Sequence, residues 1–96
     1  MQITHISYIL PEKTLTNDDL AMEYESNWNS KKIYKKIGIQ SRHTATTETT
    51  SQLAALAAEK LFSESGFPKE KIDFLLLCTQ SPDYFLPTTA CIVQDL

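Results

Sequence analysis

The side chains able to do covalent, acid–base or anion-binding chemistry are few and scattered along the chain. Cys78 and Cys91 are its only thiols, and His5 and His43 its only imidazoles. Cys91 follows Pro87, a residue well placed to open a helix, and a helix N-terminus lowers a thiol pKa toward the nucleophilic thiolate. Set in "ACIV", Cys91 also reads as a small buried hydrophobe, and that reading is preferred here. Cys78, inside "LLLCT", reads as structural for the same reason. The two have no CxxC spacing and sit in apolar segments, so reduced, buried thiols fit better than a disulfide or a zinc site. His5 on a strand and His43 beside Arg42 have no acid–base partner nearby in sequence and read as scaffold groups. Metal-ligand spacing, a glycine-rich phosphate loop and a GxSxG elbow are all absent. Two glycines in the whole chain argue against a phosphate cradle of glycine backbone.

The pattern that could bind a ligand is "WNSKKIYKKIG". Lys31, Lys32, Lys35 and Lys36 form a basic stripe on a short helix of an otherwise acidic chain. Such a stripe steers phosphate groups or an acidic carrier protein, and it serves equally as the solvated face of an amphipathic helix. Trp28, just before that helix, is placed either to stack on a flat ring or to anchor the helix to a core.

These residues need elements to hold them. "QITHISYIL" alternates, with Ile3, His5, Ser7 and Ile9 on one face and Thr4, Ile6, Tyr8 and Leu10 on the other, which predicts a strand ended by Pro11. "TLTNDDLAMEYE" predicts a short helix capped by Thr16 or Asn17, with Asp18 and Asp19 in its positive first turn and Leu20, Met22 and Tyr24 in its body. The lysine helix is capped by Asn29 or Ser30, stacks Ile33 on Ile37, and closes at Gly38 in the left-handed conformation. "IQSRHTA" reads as a strand. "SQLAALAAEKLFSESG" is a helix with Leu53, Leu56, Ala57 and Leu61 on its apolar face and Gly66 as terminator. "PKEKI" is a turn. "DFLLLCT", a continuous apolar run after an amphipathic helix, predicts a central strand covered on both faces. The order of strands and helices predicts an α/β layered fold.

Ninety-six residues suit one small domain. The formal net charge of −3 supplies no general attraction to DNA or RNA. No apolar run approaches the roughly 20 residues of a membrane span, and "MQITHISYILPEK" lacks the features of a signal peptide. A cytoplasmic chain without nucleic-acid or membrane partners is the expectation. The helix opening near Pro87 runs on to Leu96 without a cap, so the chain is expected to be the front piece of a larger enzyme.

Taken in order, "YILPEKTLTNDDL", "IGIQSRH", "ETTSQLAALAAEKLF" and "IDFLLLCTQSPDYFLPTTACIVQ" resemble the N-terminus of β-ketoacyl-acyl carrier protein synthase III, a thiolase-superfamily condensing enzyme. The likeness covers nearly the whole chain, residues 1–96. Leu10, Pro11, Thr16, Asn17 and Leu20 match the first motif, and Gly38, Ile39 and Arg42 match "GI..R". Thr79, Pro82, Asp83, Pro87, Ala90 and Gln94 match "T..PD...P..A...Q". The resemblance implies the N-terminal part of a thiolase-like layered fold, a mixed sheet with helices, incomplete in this chain. It implies a homodimer or higher oligomer, no cofactor, and a decarboxylative Claisen condensation between an acyl thioester and malonyl-carrier protein. The nucleophilic cysteine, histidine and asparagine of such an enzyme would lie beyond Leu96, leaving no catalytic residue here, and Cys91 matches a non-catalytic position. Lys32 and Lys36 stand where the family often has a tryptophan and an arginine that hold CoA. Lysine attracts phosphate as a point charge without arginine's bidentate fork, so acyl-CoA and an acyl-carrier donor both stay open. Leu86 aligns with a position that reaches across the dimer into the partner's acyl pocket. Lys32, Lys36, Trp28 and Leu86 are therefore the candidate substrate-binding residues. A hydroxymethylglutaryl-CoA synthase-like or polyketide-type condensing enzyme is the alternative, as is a non-catalytic carrier-binding module.

Overall fold

The computed structural model describes residues 1–24 and 27–96; Glu25, the last residue of the first predicted helix, lies outside them. The chain divides into two compact units, Leu10–Thr46 and Met1–Ile9 with Thr47–Leu96.

The first unit holds β1 (Thr14–Thr16), α1 (Asn17–Glu23), α2 (Ser30–Ile37) and β2 (Ser41–His43). β1 and β2 pair antiparallel, with Leu15 opposite Arg42. The ladder continues through the Thr44 N–H, which donates to the Lys13 carbonyl at 2.9 Å. "TLT" is thus a strand, where the residue pattern predicts the start of a helix. "IQSRHTA" is a strand only over Ser41–His43, the residues that stand opposite β1. α1 starts at Thr16 in a full capping box. The Thr16 hydroxyl and backbone N–H both donate to Asp19 Oδ2, at 2.6 and 2.8 Å, and the Asp19 N–H returns a bond to Thr16 Oγ1. These bonds, the hydroxyl's first, hold the Asp19 carboxyl below its ordinary pKa. The helix ends at Glu23, so Tyr24 is its cap and not its body. Asn29 caps α2 by accepting from the Lys32 N–H at 2.9 Å, and Gly38 closes it with φ of 70°. Ile33 is buried, at 9% exposure, while Ile37 stays open. The predicted stack therefore covers only its first member.

Beneath this lies one polar joint. Asn17, only 2% exposed, donates from Nδ2 to the Ile39 carbonyl and accepts from Arg42 Nη2, each at 2.7 Å. It fastens the start of α1 to the strand that comes after Gly38. His43 serves the same region, its Nδ1–H donating to the Pro11 carbonyl at 2.7 Å.

The second unit is built on α3 (Thr50–Ser65), succeeded by a 3-10 turn (Lys69–Lys71) and α4 (Thr89–Asp95). α3 begins with a second capping box, Thr49 with Gln52, and ends on Gly66 with φ of 67°. α4 packs against α3. A groove of about 210 Å³ runs beside them, lined by Ala58, Phe62, Ile72, Leu75 and Val93 among others. Residues 1–9 lie along α3: Lys60 donates to the Tyr8 carbonyl at 3.2 Å with its Nζ 5.0 Å from the Tyr8 ring centre, and Ser7 donates to Glu64. Lys69 is paired with Glu59.

Two predicted strands do not form here. Residues 2–10 and 73–79 belong to no ladder among the described residues. A strand exists by virtue of the neighbour that takes its N–H and C=O groups, and neither segment has one. The consequence reaches the cysteines. Cys78 and Cys91 are free thiols, as expected, but both are exposed and not buried among the described residues. Pro87 does not open α4 either. Thr88 is its N-cap and Pro87 stands one residue earlier, after a cis peptide bond.

Candidate functional site

In the first unit, Asn29 and Gly38 fix the two ends of α2 and so fix where its lysines project. Lys31, Lys32, Lys35 and Lys36 are all exposed, and none makes an ion pair among the described residues. Lys32 Nζ stands 5.1 Å from the centre of the Trp28 ring, a cation–π distance. Trp28 is 40% exposed beside this cation. Lys35 and Lys36 lie in the last turn, where positive charge also stabilises the negative end of the helix. The arrangement suits a phosphate-bearing or acidic ligand that also offers a flat or apolar surface.

Leu86 belongs to the second unit, in the loop before α4, and is 82% exposed. Next to it, Phe85 is 99% exposed. The structure thus brings Lys32 and Trp28 together, and it sets Leu86 on an open loop.

One residue of this loop is not recognisable as a functional group from the sequence. Asp83 Oδ1 accepts from the Thr50 N–H at 2.9 Å, and Oδ2 accepts from the Ser51 N–H at 3.0 Å. Ser51, bonded to the carboxylate, is the largest cause holding the Asp83 pKa below its ordinary value. The match of Asp83 to the stretch "T..PD...P..A...Q" marks the residue, but nothing in that spacing points at a helix more than thirty residues earlier.

Cys91 has little of the setting of a nucleophile. Thr88 Oγ1 donates to its sulfur at 3.3 Å, and no histidine or carboxylate bonds to it among the described residues. No cluster of three or more histidine, cysteine, aspartate or glutamate side chains able to hold a metal occurs among the described residues. Nor is any described helix long and apolar enough to cross a membrane.

No family model matches the chain. Individual relatives do. A β-ketoacyl-acyl carrier protein synthase III of Lactococcus lactis is 41% identical over 95 residues, covering 97% of this chain and 28% of the relative. A crystal structure of a 3-oxoacyl-acyl carrier protein synthase III is 47% identical with a TM-score of 0.78, covering 94% of this chain and 27% of the other. The synthase III of Thermus thermophilus superposes with a TM-score of 0.85 at 31% identity, over 99% of this chain and 29% of that one. The chain therefore spans less than a third of the length of these relatives. Its fold is an α/β stretch of the thiolase-like architecture. Over nearly its whole length it is homologous to β-ketoacyl-acyl carrier protein synthase III.

Proposed function

We propose that this chain is the N-terminal portion of a condensing enzyme of fatty-acid-type synthesis. The observation that carries this reading is identity of 41% spread over 97% of the chain. In the reaction, a cysteine thiolate supplied by the rest of the enzyme attacks an acyl thioester and releases its thiol. Malonyl-carrier protein then loses carbon dioxide, and the carbanion so formed attacks the acyl-enzyme. A carbon–carbon bond forms, the cysteine leaves, and a 3-oxoacyl-carrier thioester is the product. Splitting one difficult step into two is the purpose of the covalent intermediate.

Within this scheme Lys32 and Lys36 attract the phosphate of the incoming donor, or the acidic surface of the carrier, and Trp28 flanks it. Leu86 contributes apolar surface to the acyl site of the partner subunit in a homodimer. The enzyme works in the cytoplasm. The test is condensation by the full-length enzyme, given malonyl-carrier protein with acyl-CoA or with acyl-carrier, and read as release of carbon dioxide and formation of the 3-oxoacyl product. Absence of product with both donors overturns the reading.

A further inference from the structure

The N-terminus of α3 is capped twice, from two distant places in the chain. Thr49 provides the local cap, taking the Gln52 N–H at 3.3 Å. The two N–H groups before it, of Thr50 and Ser51, go to the two oxygens of Asp83. From Leu53 onward the helix satisfies itself, Leu53 donating to the Thr49 carbonyl. Asp83 thus takes the donors that no local residue reaches. A second tie runs alongside, the Thr50 hydroxyl donating to the Ser81 carbonyl at 2.6 Å. Ser81 and Asp83 are both fastened to one helical turn.

The tip of the loop is unlike its base. Tyr84, Phe85 and Leu86 are consecutive, large and largely open to solvent. Exposing apolar surface costs free energy in water, and an unanchored loop would be free to fold these side chains back. A carboxylate with both oxygens in charge-assisted bonds at the positive end of a sixteen-residue helix is a stiff anchor. The loop is built to present an apolar tip from a fixed base.

We propose that Asp83 is a positioning residue that sets acyl-chain selectivity, by pinning the Ser81–Leu86 loop to the first turn of α3. The inference rests on the reading that Leu86 borders an acyl site. Asp83 touches no substrate and acts only through the placement of Tyr84, Phe85 and Leu86.

The test compares the unsubstituted full-length enzyme with Asp83→Asn and Thr50→Val, each removing part of the tie with little change in volume. Initial rates are measured over a series of acyl donors of increasing length, with malonyl-carrier KM measured separately. The expected result is a change of about tenfold in the ratio of kcat/KM between short and long donors, the scale of one methylene in an apolar site. Thr50→Val should give a smaller change in the same direction, with malonyl-carrier KM unaltered in both. A uniform fall across all donors shows only a weakened scaffold and overturns the inference, as does an unchanged ratio. Turnover of no donor by the unsubstituted enzyme overturns the proposed reaction itself, and is recognised by that control.

Discussion

Asn17 explains at the scale of single residues why widely spaced positions of this sequence belong together. It joins the carbonyl of Ile39 to the guanidinium of Arg42, so two of the segments that resemble one enzyme family are the two sides of one polar joint. Replacing Asn17 by Ala leaves a carbonyl and a guanidinium N–H without their partner. A loss of roughly 1–3 kcal/mol is expected, the cost of stranding such groups. Urea unfolding of the two proteins checks it, and an unchanged midpoint would show the joint to be dispensable. Acid behaviour is set by two other residues. Asp19 and Asp83 both have folded-state pKa values below the ordinary 3.8, so each contributes stability that is present above that pH. The contribution is lost as pH falls below 3.8 through the lowered values. Far-UV circular dichroism should therefore hold steady from neutral pH to about 5 and fall in strong acid. The Asp19→Asn, Asp83→Asn double variant should start lower and fall less, and an identical acid profile would contradict the linkage.

α2 shows what can be tested at the scale of an element. Its ends are set by Asn29 and Gly38, and its exposed side by lysines. Gly38 has φ of 70°, where a Cβ is strained by backbone geometry although nothing lies within 4 Å of it. Gly38→Ala is expected to cost about 1 kcal/mol, read as a lowered thermal midpoint of the full-length enzyme. Charge reversal at Lys32 and Lys36 addresses function. Both replaced by Glu in the full-length enzyme should weaken binding of the acyl donor at low salt, and the difference should shrink as salt rises. Affinities for CoA and for carrier protein, measured separately, tell which ligand the stripe serves. Unchanged affinity for both would leave these lysines as a solvated helix face.

The whole molecule is notable for how little it encloses. Among the apolar side chains of the described residues only Ile33 is buried, while Ile3, Ile6, Phe74, Leu76, Phe85 and Leu86 are exposed. Backbone groups of residues 73–78 make no hydrogen bond among the described residues. An unpaired strand edge is a template for pairing, and broad apolar surface favours association. The 96-residue chain on its own is expected to self-associate, which light scattering over a dilution series reports. A single monomeric species with a cooperative melt would mean that these residues close a core of their own.

The features legible in the residues alone are those whose physics closes within about four positions. Thr16 and Asn29 each cap a helix by accepting from an N–H three positions on, and Gly38 and Gly66 end helices because they bear no Cβ. The lysine stripe and its neighbour Trp28 were readable for the same reason. Everything that depends on a remote partner was decided only in three dimensions. β1 exists because Ser41–His43 lies beside it, and "DFLLLCT" is not a strand because no strand pairs with it among the described residues. The exposure of Cys78 and Cys91 was likewise set by the absence of a covering layer among the described residues. Asp83 meets Thr50 and Ser51 across more than thirty residues, a distance over which residue spacing carries no signal and only the folded backbone brings donor to acceptor.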